Sequence, residues 1–177
     1  IEHSSVFAIC DVLKKSGFNI AEIPVDRSGL IDMDKFENEI DDNTLLVSIM
    51  HVNNEIGVVQ DIEKIGKICR EKKVLFHTDC AQSFGKLKID VRKMGIDLLS
   101  CGAHKIGGPK GIGLLYVRNG IQIEPIIYGG GQERGLRGGT ENVPGIIGFS
   151  KALKLIKKEN KNKIRKIRDY FISGLEE

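Results

Sequence analysis

The sequence predicts an α/β fold: a largely parallel sheet covered on both faces by helices, making three layers. Three observations carry this. Four short apolar runs of strand type, "TLLVSIM" (44–50), "VLFHTD" (74–79), "DLLSCG" and "GIGLLYV", are separated by helical patterns or glycine-rich turns. The runs are nearly continuous rather than alternating with polar residues, as in strands buried on both sides. Aspartates suited to helix N-caps, Asp32 and Asp61, stand just before two of the periodic segments.

Taken in order, residues 4–15 form an apolar-periodic helix, "FNIAEIPV" an extended run, and "MDKFENEI" a helix begun after Asp32. The strand at 44–50 follows, then a helix over 61–73 capped by Asp61, then the strand at 74–79 and the two further apolar runs. At the C-terminal end, Ile156, Ile164, Ile167 and Phe171 recur at multiples of helical spacing. Residues 151–177 therefore read as an amphipathic helix, with an interruption near Asn160 and Asn162.

Composition sets the outer bounds. A chain of 177 residues, 41% hydrophobic and 29% charged, suits one globular domain with its own core. No apolar stretch is long enough to span a bilayer, and no basic-then-apolar leader opens the chain, so no membrane association is expected and a cytoplasmic or organelle-matrix location is. The opening "IEHSSV", without Met, and an end inside a helical pattern suggest a segment of a longer protein. Cys10, Cys69, Cys80 and Cys101 form no C-x-x-C pair and have no histidine at ligand spacing, so no metal site is expected; they read as small buried hydrophobes in a reducing compartment. Net charge is +3, but residues 151–168 hold nine Lys or Arg against Glu159 alone. Without aromatic interleaving or a binding motif, that face reads as solvated, and no nucleic-acid partner is expected.

Ligands of parallel sheets bind beyond the carboxyl ends of the strands, and three strand ends here carry polar groups. The first runs into His51, Asn53, Asn54 and Glu55, the second into Asp79 and Gln82, the third into His104 and Lys105. Each has a plain structural reading too: Asp79 as a turn cap, Asn54 as a loop residue in left-handed conformation, His77 as a satisfied core residue. Their coincidence on one rim favours a site. Neither G-x-x-x-x-G-K-S/T nor a strand-borne G-x-G-x-x-G is present, which removes the phosphate-loop and dinucleotide fingerprints.

The segments "VSIMHVNNEIGVVQDI", "FHTDCAQSFGKLKIDV", "SCGAHKIGGPKGIGLLYVR" and "GGGQERGLRGGTENVPGIIGF" closely resemble the cysteine desulfurases, pyridoxal-phosphate enzymes of the class V aminotransferase group. The resemblance extends to "EHSSV" and "GFNIAEIPVDRSGLID" near the start. It implies part of a fold-type-I large domain over residues 1–150, with the basic helix 151–177 leading toward a small domain. It also implies pyridoxal 5′-phosphate as cofactor, L-cysteine as substrate, a homodimer, and delivery of sulfur to an iron–sulfur scaffold or another acceptor protein.

By the same resemblance, Lys105 would join the cofactor covalently and shuttle the substrate α-proton, a role suited to an amine that burial can deprotonate. Asp79 would pair with the pyridinium nitrogen and Gln82 with the ring oxygen. Asn54 would reach that oxygen or the substrate carboxylate. His3 would stack on the ring, His104 would contact the phosphate, and Thr140 would reach the phosphate of the partner subunit's cofactor.

The sequence also departs from the family. Gly102 stands where a phosphate-binding serine is usual, three residues before the lysine, and Ser100 on the same strand has no assigned direction. The family's phosphate-gripping turn lies before the residues seen here, and its persulfide-forming cysteine and carboxylate-binding arginine lie after them. None of the four cysteines matches that cysteine. Taken alone, the chain is expected to hold the cofactor-lysine half of an active site and to lack desulfurase activity. Two alternatives stay open: another class V enzyme, such as a selenocysteine lyase or an aminotransferase, and a truncated non-catalytic chain.

Overall fold

The computed structural model describes residues 1–156 and 161–176. Four strands, β1 (Leu46–Ser48), β2 (Leu75–Asp79), β3 (Leu98–Gly102) and β4 (Gly113–Val117), form one sheet in the order β1-β2-β3-β4. β1, β2 and β3 are parallel, as the strand ends require if their polar groups are to share a rim. β4 is antiparallel to β3, pairing Gly102 with Gly113 and Leu98 with Val117. The connection between them contains Lys105 to Gly111 and is too short for the crossover a parallel partner needs.

Among the described residues there are five α-helices, α1 (Ser4–Lys15), α2 (Met33–Glu39), α3 (Ile62–Glu71), α4 (Val143–Ile156) and α5 (Lys161–Glu176), of which α2, α3 and α4 contribute to the core. The two aspartate caps act as the sequence predicts. Asp32 accepts the N–H of Lys35 at 3.0 Å, and Asp61 that of Lys64 at 3.0 Å, each satisfying a donor the first helical turn leaves open. "FNIAEIPV" forms no strand; it contributes a single bridge, Val25 to Ile31. The C-terminal helix expected from residue 151 starts earlier, at Val143, and α5 begins at Lys161. Of the interruption expected near Asn160 and Asn162, Asn160 falls outside the described residues, and Asn162 lies within α5.

The core follows from strand alternation. Val47, Phe76, Leu99 and Cys101 join one apolar cluster with Ile62, Ile65, Ile68 and Cys69 of α3, Phe36 of α2, and Phe149 and Ala152 of α4. α3 lies close to the chain beyond it because of Gly66: a methyl there would meet Met94 O at 1.9 Å. Gly148 plays the same part on α4, where a methyl would sit 2.5 Å from Pro109 Cγ. That contact seats α4 beside the turn after β3, which carries Lys105. The other sheet face is mixed: it carries Leu46, Leu75 and Leu98 together with a polar row, Ser48, His77 and Ser100, half-buried on three adjacent strands.

Candidate active site

Parallel pairing of β1, β2 and β3 brings their C-terminal ends to one edge. The edge is continued by backbone bonds beyond the strands: His51 N–H donates to Asp79 O at 3.0 Å, and Cys80 N–H to Ser100 O at 2.8 Å. Asp79 is in register with Ser100, so the 103–106 turn begins beside it.

Asp79 is buried, with 8% of its surface exposed. Its Oδ1 accepts the N–H of Ala81 at 2.8 Å, so the turn-capping reading holds as far as it goes. It does not complete the account. No Lys or Arg forms an ion pair with Asp79 among the described residues, although a buried carboxylate normally needs a cation or several donors. Gln82 is half-buried on the turn that follows.

After β3 the chain makes one 3-10 turn, Ala103–Ile106, ended by Gly107 at φ 76°, a left-handed conformation that glycine adopts without a Cβ clash. Ala103 and Ile106 are buried there, which turns His104 and Lys105 outward. Lys105 is thus exposed, contrary to the buried amine the sequence suggests, and makes no ion pair among the described residues. The His104 ring lies where a side chain at 102 would start: a Cβ on Gly102 would be 3.1 Å from its Nδ1.

Beyond β1 the two asparagines divide their work. Asn53 is buried; its Oδ1 accepts the N–H groups of Glu55 and Ile56 at 2.9 Å each, and its Nδ2 donates to Ile1 O at 2.8 Å. Asn53 therefore builds the turn, and Asn54 is left exposed. His3 is the N-cap of α1, its Nδ1 accepting the N–H of Ser5 at 3.2 Å. Thr140 is exposed before α4, and no hydrogen bond joins it to the rim among the described residues.

Three contacts go beyond what the sequence predicts, two of them made by residues it names, His77 with Ser100 and His51. Ser100 faces His77, whose two ring nitrogens lie 2.8 Å from Ser48 Oγ and 3.1 Å from Ser100 Oγ. His51 is buried with its Nδ1 3.9 Å from Cys80 Sγ. Glu2 accepts the N–H of Met50 beyond β1 and senses the charge of Asp79. Strand alternation assigns each of Ser48, His77 and Ser100 to a face of its own strand, but the register that lines them up across three strands comes from the structure; the Glu2 contact, spanning distant segments, was equally out of reach of the sequence.

The geometry is matched by known proteins. The family model described as aminotransferase class V matches residues 1–176. The chain belongs to the class V aminotransferase family. Cysteine desulfurase IscS of Clostridium botulinum (strain Hall) is 46% identical over 99% of this chain and 45% of its own length. The mitochondrial cysteine desulfurase of Saccharomyces cerevisiae is 50% identical over 98% of this chain and 36% of its own. Among solved structures, a NifS-like protein superposes with a TM-score of 0.94 at 41% identity, over 99% of this chain and 49% of that one. The fold is accordingly that of the fold-type-I desulfurases, and the chain spans less than half the length of the relatives it matches.

Proposed function

We propose that this chain is the cofactor-holding segment of a pyridoxal-phosphate-dependent cysteine desulfurase, an enzyme that takes sulfur from L-cysteine and leaves L-alanine. The observation that carries the proposal is Asp79. A buried carboxylate at a parallel-strand end, unpaired by any Lys or Arg among the described residues, stands one strand away from the exposed Lys105. A protonated ring nitrogen supplies the cation that Asp79 lacks. The donor set around it therefore fits the cofactor. Similarity to named desulfurases over nearly the whole chain supports the same reading, as does a structural neighbour described as SspA in complex with cysteine, 50% identical with a TM-score of 0.85.

When bound, pyridoxal phosphate supplies an electron sink for the substrate α-carbon. The work of the chain is to hold and protonate. Asp79 keeps the ring nitrogen charged, and Lys105 holds the cofactor covalently and carries the proton to and from the α-carbon. Gln82 donates to the ring oxygen, and Asn54, freed by Asn53, to that oxygen or the substrate carboxylate. His3 provides the stacking imidazole; capping α1 through Nδ1 leaves its ring faces and Nε2 open. His104 serves the phosphate, and Thr140 serves that of the partner subunit in a homodimer. In this reading the sulfur-accepting cysteine and the carboxylate-binding arginine come from the part of the relatives that this chain does not span. An iron–sulfur scaffold or another acceptor protein receives the sulfur in the cytoplasm or an organelle matrix.

The test uses the complete protein. Borohydride reduction with pyridoxal phosphate, followed by peptide mapping, should label Lys105, and L-cysteine with an added dithiol reductant should yield alanine, and sulfide reduced off the persulfide, above a free-cofactor blank. Label on another lysine, or no label, overturns the assignment. Faster turnover of L-selenocysteine with negligible release from L-cysteine would move the protein to the lyases of the same family.

A further inference from the structure

Glu2 is not among the residues given a role above, yet the fold holds it on the rim, at the end of the edge strand β1. Its Oε1 accepts the backbone N–H of Met50, just beyond the end of β1. Its Oε2 is shut off from solvent and has no hydrogen-bond partner among the described residues. The neighbouring strand end is that of Asp79, tied to the same stretch by the N–H of His51 donating to Asp79 O at 3.0 Å. The residue before Glu2 is also held, Ile1 O accepting Asn53 Nδ2 at 2.8 Å. Glu2 thus docks the segment that carries His3 onto the sheet, within the electrostatic reach of Asp79.

A carboxylate anchoring one amide is common at protein surfaces. This one differs in two respects. An ionised oxygen buried without a donor costs more than the same oxygen in a neutral acid, because the charge loses its hydration and gains nothing. And where two carboxyl groups share a partly closed space, the first to ionise raises the cost for the second. Asp79, with its Ala81 N–H bond, is the better placed to take the charge.

We propose, resting on the cofactor reading above, that Glu2 is a positioning residue acting as a neutral carboxylic acid: it docks the His3 segment on Met50 and leaves Asp79 to carry the negative charge that faces the ring nitrogen. The electrostatics agree. Burial first, with the Asp79 charge adding, raises the Glu2 carboxyl from 4.5 to about 7 against the opposing pull of the Met50 N–H. His51 also lies beside this junction, and burial pushes its pKa down, which favours its neutral form.

The sign of the pH effect follows. A carboxyl whose pKa is higher in the folded than in the unfolded protein stabilises the fold below 4.5, and that contribution is lost as pH climbs through about 7. Glu2→Gln keeps the Met50 bond and cannot ionise; Glu2→Ala loses both. In the complete protein without cofactor, the melting temperature of the wild type should therefore fall relative to Glu2→Gln between about pH 5 and about pH 8. Pyridoxal phosphate affinity, read by equilibrium absorbance titration, should stay within about 3-fold of wild type in Glu2→Gln and drop about 10-fold in Glu2→Ala, the loss expected for one docking hydrogen bond. A melting gap that does not change with pH overturns the neutral acid. An affinity loss in Glu2→Gln as large as in Glu2→Ala shows that the charge, not the dock, matters, and overturns it too. If the gap opens as expected but the wild type takes up no cofactor, the cofactor reading fails and the positioning role falls with it.

Discussion

His77 stands between two serines of neighbouring strands, its Nδ1 2.8 Å from Ser48 Oγ and its Nε2 3.1 Å from Ser100 Oγ. Strand register makes this possible: His77 is directly opposite Ser48, and Ser100 is opposite Asp79, two residues further along β2 on the same face. A polar row therefore crosses three strands beneath the rim. Each hydroxyl can serve as donor or acceptor, so a neutral imidazole is satisfied at both nitrogens.

The first prediction concerns that neutrality. Burial pushes the His77 pKa below its ordinary 6.5, with Asp79 pulling the other way. A depressed histidine stabilises the fold above 6.5, and the contribution is lost as pH falls, because the unfolded chain takes the proton first. His77→Leu should cost about 1–3 kcal/mol near pH 8 by leaving both serines without this partner. The difference from wild type in urea midpoint should narrow toward about pH 5. A difference that widens there would show that His77 is held as a cation.

The second prediction concerns Gly102, whose backbone is extended (φ −131°, ψ 149°) and accepts any residue. A Cβ there meets only the His104 ring closely, Nδ1 at 3.1 Å and Cε1 at 3.3 Å, and that ring is exposed and free to turn. Gly102→Ser should therefore fold, and should tighten cofactor binding by about 10-fold if its hydroxyl meets the phosphate in a charge-assisted bond. Gly102→Ala is the control, with the same crowding and no hydroxyl. Equal affinities of the serine and alanine variants would show that no phosphate oxygen lies within reach of position 102.

The third prediction concerns thiols. Burial is the main cause that raises Cys80 to about 11 and Cys69 and Cys101 to about 12. Such thiols hold almost no thiolate near neutrality, and the thiolate is the reactive form. Cys10 is half-buried on α1. Brief treatment of the folded protein with iodoacetamide should therefore modify Cys10 first, and the other three only on unfolding. Mass spectrometry of the peptides checks the order. Early modification of Cys80 would reopen it as a sulfur acceptor.

How much of this was legible in the sequence depends on the range of the interaction. The parallel strands, the two aspartate caps and the three polar strand ends all follow from patterns of a few residues, and the structure has each of them. The antiparallel direction of β4 was not read from the sequence, because apolar content does not reveal direction; the short connection after β3 is what imposes it. The start of α4 was hidden because Gly145 and Gly148 weaken its local propensity. Tertiary fit overrides that, since Pro109 takes the space a side chain at 148 would fill. The exposure of Lys105 was also out of reach: it depends on which residues of one turn, Ala103 and Ile106, find the core.

The last prediction separates a structural from a functional Asp79. In Asp79→Asn the amide oxygen can still accept the Ala81 N–H, the one hydrogen bond the Asp79 side chain makes among the described residues. The turn should survive, and the melting temperature of the cofactor-free protein should change little. What asparagine cannot do is balance a positive ring nitrogen. Cofactor affinity should fall by about 10- to 100-fold, the range for losing a hydrogen bond to a charged group. Turnover should fall further, because the charge on the ring nitrogen matters most as negative charge develops at the α-carbon. Thermal unfolding, absorbance titration and alanine release on one preparation of the complete protein read the three quantities. A variant that melts far below wild type would make Asp79 a structural residue. One that keeps full turnover would remove the cation opposite it, and with it the main support for the cofactor reading.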